Sequence, residues 1–383
     1  MIIHSNRLNT VEEYYFSKKL REVSEMIKSG YPIINMGIGS PDLFPSNNVI
    51  SQIKNSLSDS NSHKYQSYQG LPEFRKSISN FYKNYFKVEL NSEKEVLPLM
   101  GSKEGIMHIS LAFLNSGDEV LIPNPGYPTY HSVTNLVEAK PRFYDLDENN
   151  NWFPDLIEIE KSDLSKVKLM WVNYPHMPTG ASVGVNKYEE LIKFAERNNI
   201  LIVNDNPYSF ILNKDFVSIL KVNGSKEVAM ELNSLSKSFN MSGWRVGMLL
   251  GSDLNISRVL KVKSNMDSGM FYGIQKGAIS ALNLSESWFE SLNKVYYKRR
   301  ELIWKLADKL NCSYNKNSKG LFVWAKLPGK NPSSESFIEN LLLEKNIFIA
   351  PGTIFGSNGE GYVRFSLCID ESKIIESLKR IDL

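Results

Sequence analysis

Ser234-Leu235-Ser236-Lys237-Ser238-Phe239-Asn240-Met241-Ser242-Gly243-Trp244-Arg245-Val246-Gly247 is the stretch on which the reading of this chain turns. It gathers one amine nucleophile, small hydroxyl residues, glycines and an arginine into a single short segment. A lysine whose neutral form is favoured can form a Schiff base with a carbonyl group. An arginine eight residues further on can hold a phosphate with two parallel N–H donors. A lysine and an arginine flanking a turn are also an ordinary surface feature. The segment therefore acquires meaning only from what surrounds it.

Working outward, Val228–Leu232 and Val246–Leu250 read as strands on either side of it. Upstream, strands at Val96–Leu99, Glu119–Ile122, Lys168–Val172 and Ile200–Val203 alternate with helices at Ser102–Leu114, Tyr130–Leu136 and Tyr188–Arg197. That βαβ alternation predicts an α/β fold, a mostly parallel sheet covered by helices on both faces. Before it, Thr10-Val11-Glu12-Glu13 fits a capping box. Phe16, Leu20, Val23 and Ile27 then recur at helical spacing up to Gly30. Ile33–Met36 is a short strand, Val49–Leu57 a helix, Asp59–Lys64 a polar loop, and Phe74, Ile78, Phe81 and Tyr85 mark another helix. After the sheet, Trp288, Leu292, Val295, Arg299, Ile303 and Leu306 trace one face of a long helix. It leads into a smaller α+β part with strands Leu321–Lys326 and Tyr362–Leu367 around a helix at Phe337–Glu344. The expected division is a large domain over residues 41–285, and a small domain of 1–40 plus 286–383.

With 383 residues, 42% hydrophobic and 23% charged, the chain has the composition of a soluble globular protein. A formal charge of +3 gives no reason to expect nucleic acid or an anionic membrane as partner. The two cysteines, Cys312 and Cys368, make neither a disulfide framework nor a CxxC metal site. The N-terminus has no secretory pattern and no apolar run is long enough to span a bilayer, so a cytoplasmic location is expected.

In doubly wound sheets ligands lie outside the carboxyl ends of the strands. Asp205 and Tyr208 follow the strand Ile200–Val203. Gly101-Ser102-Lys103-Glu104-Gly105 joins a strand to a helix N-terminus, where N–H groups and the helix dipole favour phosphate. Asn124-Pro125-Gly126-Tyr127-Pro128 and Asn173-Tyr174-Pro175-His176-Met177-Pro178-Thr179-Gly180 end two further strands. Taken singly, Asp205 serves equally as a turn cap, and Tyr127 and Tyr208 as packed aromatics.

With Lys237 in register, these residues together resemble the class I/II aminotransferases of the aspartate aminotransferase superfamily, the fold-type I pyridoxal-phosphate enzymes. The resemblance spans nearly the whole chain. It rests on Ser-x-Ser-Lys with its Gly-x-Arg-x-Gly tail, supported by Gly37-Ile38-Gly39-Ser40-Pro41-Asp42, Tyr65 with Gly70, Pro178-Thr179-Gly180, Asp205 with Tyr208, and Ala350-Pro351-Gly352 leading to Arg364. It implies a seven-stranded, mostly parallel sheet and pyridoxal 5'-phosphate carried by Lys237. It further implies Asp205 paired with the pyridinium nitrogen, Tyr208 donating to the phenolate oxygen and Tyr127 stacked on the ring. The phosphate would be held by Ser102, Lys103, Ser234, Ser236 and Arg245, and by Tyr65 from a second subunit of a homodimer with shared sites. Arg364 would bind the substrate α-carboxylate, and Gly39 would let the backbone approach the substrate.

One position departs from the pattern. Relatives usually read Asn-Pro-Thr-Gly where this chain has Met177-Pro178-Thr179-Gly180. Methionine cannot donate a hydrogen bond to the phenolate. The cofactor-linked amine is therefore expected to keep its proton to higher pH than in relatives with Asn. The activity implied is ping-pong transfer of an amino group from an L-amino acid to a 2-oxo acid, with 2-oxoglutarate the family's habitual acceptor. Glu12–Phe16 and Gly101–Gly105 look most like the diaminopimelate-type, broad-specificity branch. A C–S β-lyase would share Lys237, Asp205 and both arginines. A non-catalytic regulator of this fold would carry an additional DNA-binding domain.

Overall fold

The computed structural model describes residues 2–10, 15–329 and 333–382. The capping box expected at Thr10–Glu13 and most of the Glu12–Phe16 motif rest on residues outside that range.

The thirteen strands of the described residues are β1 (Ile34–Asn35), β2 (Val96–Leu99), β3 (Glu119–Asn124), β4 (Lys140–Asp145), β5 (Val167–Val172), β6 (Leu201–Asp205), β7 (Ala229–Ser234), β8 (Gly247–Leu250), β9 (Ser313–Tyr314), β10 (Phe322–Lys326), β11 (Ile347–Phe348), β12 (Ala350–Pro351) and β13 (Tyr362–Ser366). Seven of them form one sheet in the order β2-β8-β7-β6-β5-β3-β4. Only β8 runs against its neighbours, so the sheet is mostly parallel, as expected. Side chains alternate across it with the two-residue period of a strand. Val120, Ile122, Leu169, Trp171, Val203 and Leu232 join one buried layer. Leu121, Met170, Val172, Ile202 and Leu250 join the other. Burial on both faces is why these strands read as apolar runs.

Of the elements that escaped the sequence pattern, three show why. β4, Lys-Pro-Arg-Phe-Tyr-Asp, is an edge strand with only Tyr144 buried, and edge strands carry charges and proline instead of an apolar run. The helix Asp253–Lys263 is polar overall, with Ser252 accepting from Asn255 N–H at 3.3 Å as its cap. The helix Tyr272–Leu282 contains Gly273 and Gly277, which lower helix propensity. Gly277 is there because the helix Asn47–Ser56 lies against it: a Cβ would sit 3.0 Å from Ile53. The polar loop expected at Asp59–Lys64 holds a 3-10 turn, Ser60–His63, capped by Asp59.

A second, antiparallel sheet has the order β12-β13-β10-β9, and β1 pairs in parallel with β11. The helix Tyr15–Lys28 packs beside them, with Phe16 stacked on Phe348 at 6.3 Å and Lys19 paired with Glu339 at 2.5 Å. The long helix Glu286–Lys309 buries Leu292, Tyr296, Arg299, Ile303 and Leu306 along one face. Arg299 grips Asp42 with both η nitrogens, at 2.7 and 2.9 Å, and donates to the Leu367 carbonyl at 2.9 Å. This bidentate pair fixes the Gly37–Asp42 loop over the carboxyl edge of the large sheet.

Candidate active site

β7 ends at Ser234, which caps the short helix Leu235–Ser238 by accepting from Ser236 N–H at 3.1 Å. That turn carries Lys237 inward, where Nζ donates to the Gly39 carbonyl at 2.6 Å. Burial holds the Lys237 amine below the ordinary lysine range, and the Arg364 and Arg245 charges push the same way against Cys368 and Asp205. Desolvation and like charge both favour the neutral, nucleophilic amine.

Asp205 ends β6 and is 5% exposed. One carboxylate oxygen, Oδ2, accepts from Tyr130 hydroxyl at 3.0 Å, while Oδ1 has no partner. Burial pushes this carboxyl up to about 6, with Tyr130 and the Lys237 charge opposing. A buried carboxylate oxygen without a donor is costly unless a cationic or N–H group reaches it. Asn173, at the end of β5, donates to the Asp205 carbonyl and accepts from Met177 N–H at 2.7 Å. Tyr208 is buried beside Phe322, and burial raises its pKa, keeping the phenol a hydrogen-bond donor.

Gly101 precedes the helix Ser102–Phe113 with φ +89°, a conformation that favours glycine. A Cβ there would stand 2.1 Å from Arg245 Nη2, so the guanidinium lies directly against this turn. Arg245 itself donates to Ser242 carbonyl at 2.8 Å. Glu104 locks the turn by accepting from Met100 N–H at 2.6 Å. A helix N-terminus, the Ser234 and Ser236 hydroxyls and Arg245 thus converge on one spot suited to a dianion.

Arg364, on β13, is 5% exposed. Its guanidinium is sandwiched between Phe322, 4.0 Å away, and Phe355, 4.6 Å away. Nη2 donates to Gly37 carbonyl at 2.8 Å, Nη1 meets Met177 Sδ at 3.4 Å, and Nε has no partner. Burial pulls it down to about 10, still a cation at neutral pH. Gly39 has a second reason beside the one expected. Phe322 fills the space a Cβ would take, 2.5 Å from its Cζ, and the freed carbonyl accepts from Lys237.

Two cavities meet at these groups. The inner one, about 390 Å³, takes in Ser102, Asp205, Ser234, Ser236 and Arg245. The outer one, about 450 Å³, takes in Gly39, Phe322 and Arg364. Lys103, Tyr127, Met177, Tyr208 and Lys237 border both. Every site residue singled out in the sequence lines one of them except Tyr65, which is 89% exposed and lines neither. Sequence reasoning passed over Tyr130, Phe322, Phe355 and Glu104. Tyr130 stands one helical turn from Tyr127 and could have been found by that spacing. The two phenylalanines carry no local signal.

The inner cavity is chemically two-ended, with anion donors at one end, a lone buried carboxylate oxygen at the other, and an aromatic side chain and an amine between. An α/β sheet with a site of this layout has room for a phosphorylated carbonyl group beside a buried lysine. Residues 31–381 match the family aminotransferase class I and II. The chain is 38% identical to the LL-diaminopimelate aminotransferase of Aquifex aeolicus, covering 100% of this chain and 99% of that one. The same enzyme of Halothermothrix orenii is also 38% identical, over 99% and 97%. Among solved structures, apo-BacF of Bacillus subtilis superposes with a TM-score of 0.95 at 34% identity, covering 100% and 98%. An aminotransferase of Staphylococcus aureus gives 0.90 at 32%, covering 98% of each chain. The chain belongs to the aminotransferase class I and II family, and its activity is amino-group transfer.

Proposed function

We propose that the chain binds pyridoxal 5'-phosphate in the inner cavity and moves an amino group from an L-amino acid to 2-oxoglutarate, within the diaminopimelate-type and broad-specificity branch. The observation that carries this is the partnerless Oδ1 of buried Asp205 in the same cavity as Lys237 and the Ser102–Ser234–Ser236–Arg245 cluster. A protonated ring nitrogen satisfies the first, a phosphate the last, and Tyr208 can donate to a phenolate between them. Bound there, the cofactor supplies an electron sink for charge developing at the substrate α-carbon.

The chain's own residues supply the rest. Arg364 holds the substrate α-carboxylate, its guanidinium kept rigid by the two phenylalanine rings. Lys237, whose amine burial shifts toward its neutral form, takes and returns the proton at the α-carbon. Asp205 stabilises positive charge at the end of the inner cavity. The Gly39 carbonyl gives the Lys237 amine a resting acceptor.

The assembly proposed is a homodimer in which Tyr65 reaches the neighbouring subunit's phosphate site. Exposed Phe44 (84%), Tyr65 and half-exposed Tyr68 support it as surface that a second copy would cover. The proposed domain division remains 41–285 against 1–40 plus 286–383; the seven-stranded sheet falls within the first, and β1 pairs with β11 in the second. Two free cysteines fit a cytoplasmic protein.

The test is a half-reaction screen. Cofactor-loaded enzyme is mixed with each amino acid and the absorbance of the bound cofactor is followed. At least one amino acid should convert it, 2-oxoglutarate should restore it, and Lys237→Ala should do neither. No conversion by any amino acid, or pyruvate release from cysteine without a 2-oxo acid, defeats the proposal.

A further inference from the structure

Resting on the proposed function, we infer that Glu231 is a positioning residue for the cofactor site: from the far face of the large sheet, its carboxylate ties together the chain segments that carry Asp205, Tyr208 and Ser234. Glu231 lines neither cavity, and the amino-group transfer described above makes no use of it.

Glu231 lies in β7 and is 0% exposed. Asn204 of β6 stands directly opposite it. Side chains alternate along a strand, so Asn204 and Glu231 share the face from which Asp205 turns away. Asp205 accordingly meets Tyr130 in one buried layer, and Glu231 meets Tyr82 in the other. A carboxylate buried this completely is costly unless donors fill it. Oε1 accepts from the Tyr82 hydroxyl at 2.8 Å and from Asn206 Nδ2 at 3.3 Å. Oε2 accepts from Asn204 Nδ2 and from the Ile219 N–H, both at 3.1 Å. Burial pushes the Glu231 carboxyl up from the ordinary range, and Tyr82, Asn204 and the Ile219 N–H pull against it. The donors on Asn204, Asn206 and Ile219 are N–H groups, which cannot accept, so the place calls for an acceptor-only side chain.

From these donors, hydrogen bonds lead on to the cofactor site. Asn204 and Asn206 flank Asp205 in the chain, so holding both side chains on the far face fixes the direction of the Asp205 carboxyl. Asn206 also accepts from Ser209 Oγ at 2.5 Å, which holds the turn carrying Tyr208. The Tyr82 hydroxyl accepts from Asn233 Nδ2 at 2.8 Å while it donates to Glu231. Asn233 Oδ1 then accepts from the Ser234 N–H at 2.7 Å, and Ser234 Oγ accepts from the Ser236 N–H at 3.1 Å. The groups proposed for the ring nitrogen, the phenolate and the phosphate therefore share one anchor. All of them must meet a single rigid ligand at once, and a shared support holds their spacing where separate side chains would drift.

The experiment titrates the cofactor-free wild type, Tyr82→Phe and Glu231→Gln with pyridoxal 5'-phosphate and with pyridoxal, which lacks the phosphate. Absorbance of the bound ligand gives each affinity, and thermal melting of each cofactor-free protein is recorded alongside. Tyr82→Phe cuts only the branch to Ser234. Its affinity for pyridoxal 5'-phosphate should fall about 10-fold, the worth of a hydrogen bond to a charged group, while its affinity for pyridoxal is unchanged. In Glu231→Gln, whichever way the amide turns, its NH2 faces an N–H donor. All branches are then disturbed, and pyridoxal too should weaken by about 10-fold. A role confined to stability would lower the melting temperatures and leave the preference for the phosphorylated ligand where it was. That outcome in Tyr82→Phe overturns the inference, even where Glu231→Gln does not fold. A folded Glu231→Gln with unchanged pyridoxal affinity overturns the tie to Asp205 and Tyr208. A wild type that binds neither ligand defeats the proposed function, and the inference with it.

Discussion

Asp205 sits at odds with the stability of the protein that carries it, and the cofactor-free enzyme should reveal the cost. Its carboxyl is buried with Oδ1 partnerless, and burial pushes its pKa from the ordinary 3.8 up to about 6. Below pH 3.8 the group is protonated both folded and unfolded and stability is unaffected. As pH rises to about 6 the unfolded chain releases the proton first, and stability falls. Above that the loss is complete. A gap of about two pH units corresponds to about 3 kcal/mol. Asp205→Asn keeps the shape and an acceptor for Tyr130 but cannot ionise. Urea unfolding of both cofactor-free proteins, at one fixed protein concentration, should find the variant more stable by up to about 3 kcal/mol at pH 7.5. The advantage should shrink towards zero at pH 4. A variant no more stable than wild type at pH 7.5, or a difference independent of pH, refutes the reasoning. The opposite order should hold for cofactor affinity, since stability given up at a buried charge is a common mark of a binding site.

Further outcomes follow from the same geometry. Gly101→Ala meets both a positive φ and the Arg245 guanidinium. It should cost about 1–2 kcal/mol and abolish the thermal stabilisation that inorganic phosphate gives the cofactor-free protein; retained stabilisation counts against the anion site. Arg364→Lys keeps the charge but loses the planar fork, and KM for amino donors should rise roughly 10- to 100-fold at the strength of charged hydrogen bonds, with kcat changing less. Met177→Asn restores a donor beside Tyr208. The pKa read from the absorbance of the bound cofactor should fall, and an equal or higher value in the variant defeats the assignment.

Met177 also shows how a sequence departure acquires a second meaning in three dimensions. In the sequence it is a missing donor. In the fold its sulfur lies 3.4 Å from Arg364 Nη1 and its N–H is held by Asn173, so the residue borders both the inner and the outer cavity. Gly39 gains a second meaning in the same way: besides the substrate approach expected of it, it admits the Phe322 ring.

What the sequence by itself determined is the part carried by local pattern. Apolar runs buried on both faces gave away the central strands; Ser234–Gly247, Asp205 and Tyr208 stood out as site candidates because they lie where strands of the large sheet end, and Arg364 because it is an arginine inside an apolar strand of the smaller sheet. It could not reveal β4 or the helix Tyr272–Leu282, whose stability comes from an edge pairing and a close helix contact instead of their own periodicity. The tertiary structure alone decided the orphaned oxygen of Asp205, the aromatic clamp on Arg364 and the apolar wall of the outer cavity. Phe16, Phe322 and Phe355 are far apart in the chain and unremarkable where they stand. They come to line one cavity only because β10, β13, the N-terminal helix and the Gly352–Phe355 turn pack against the carboxyl edge of a sheet built from other residues.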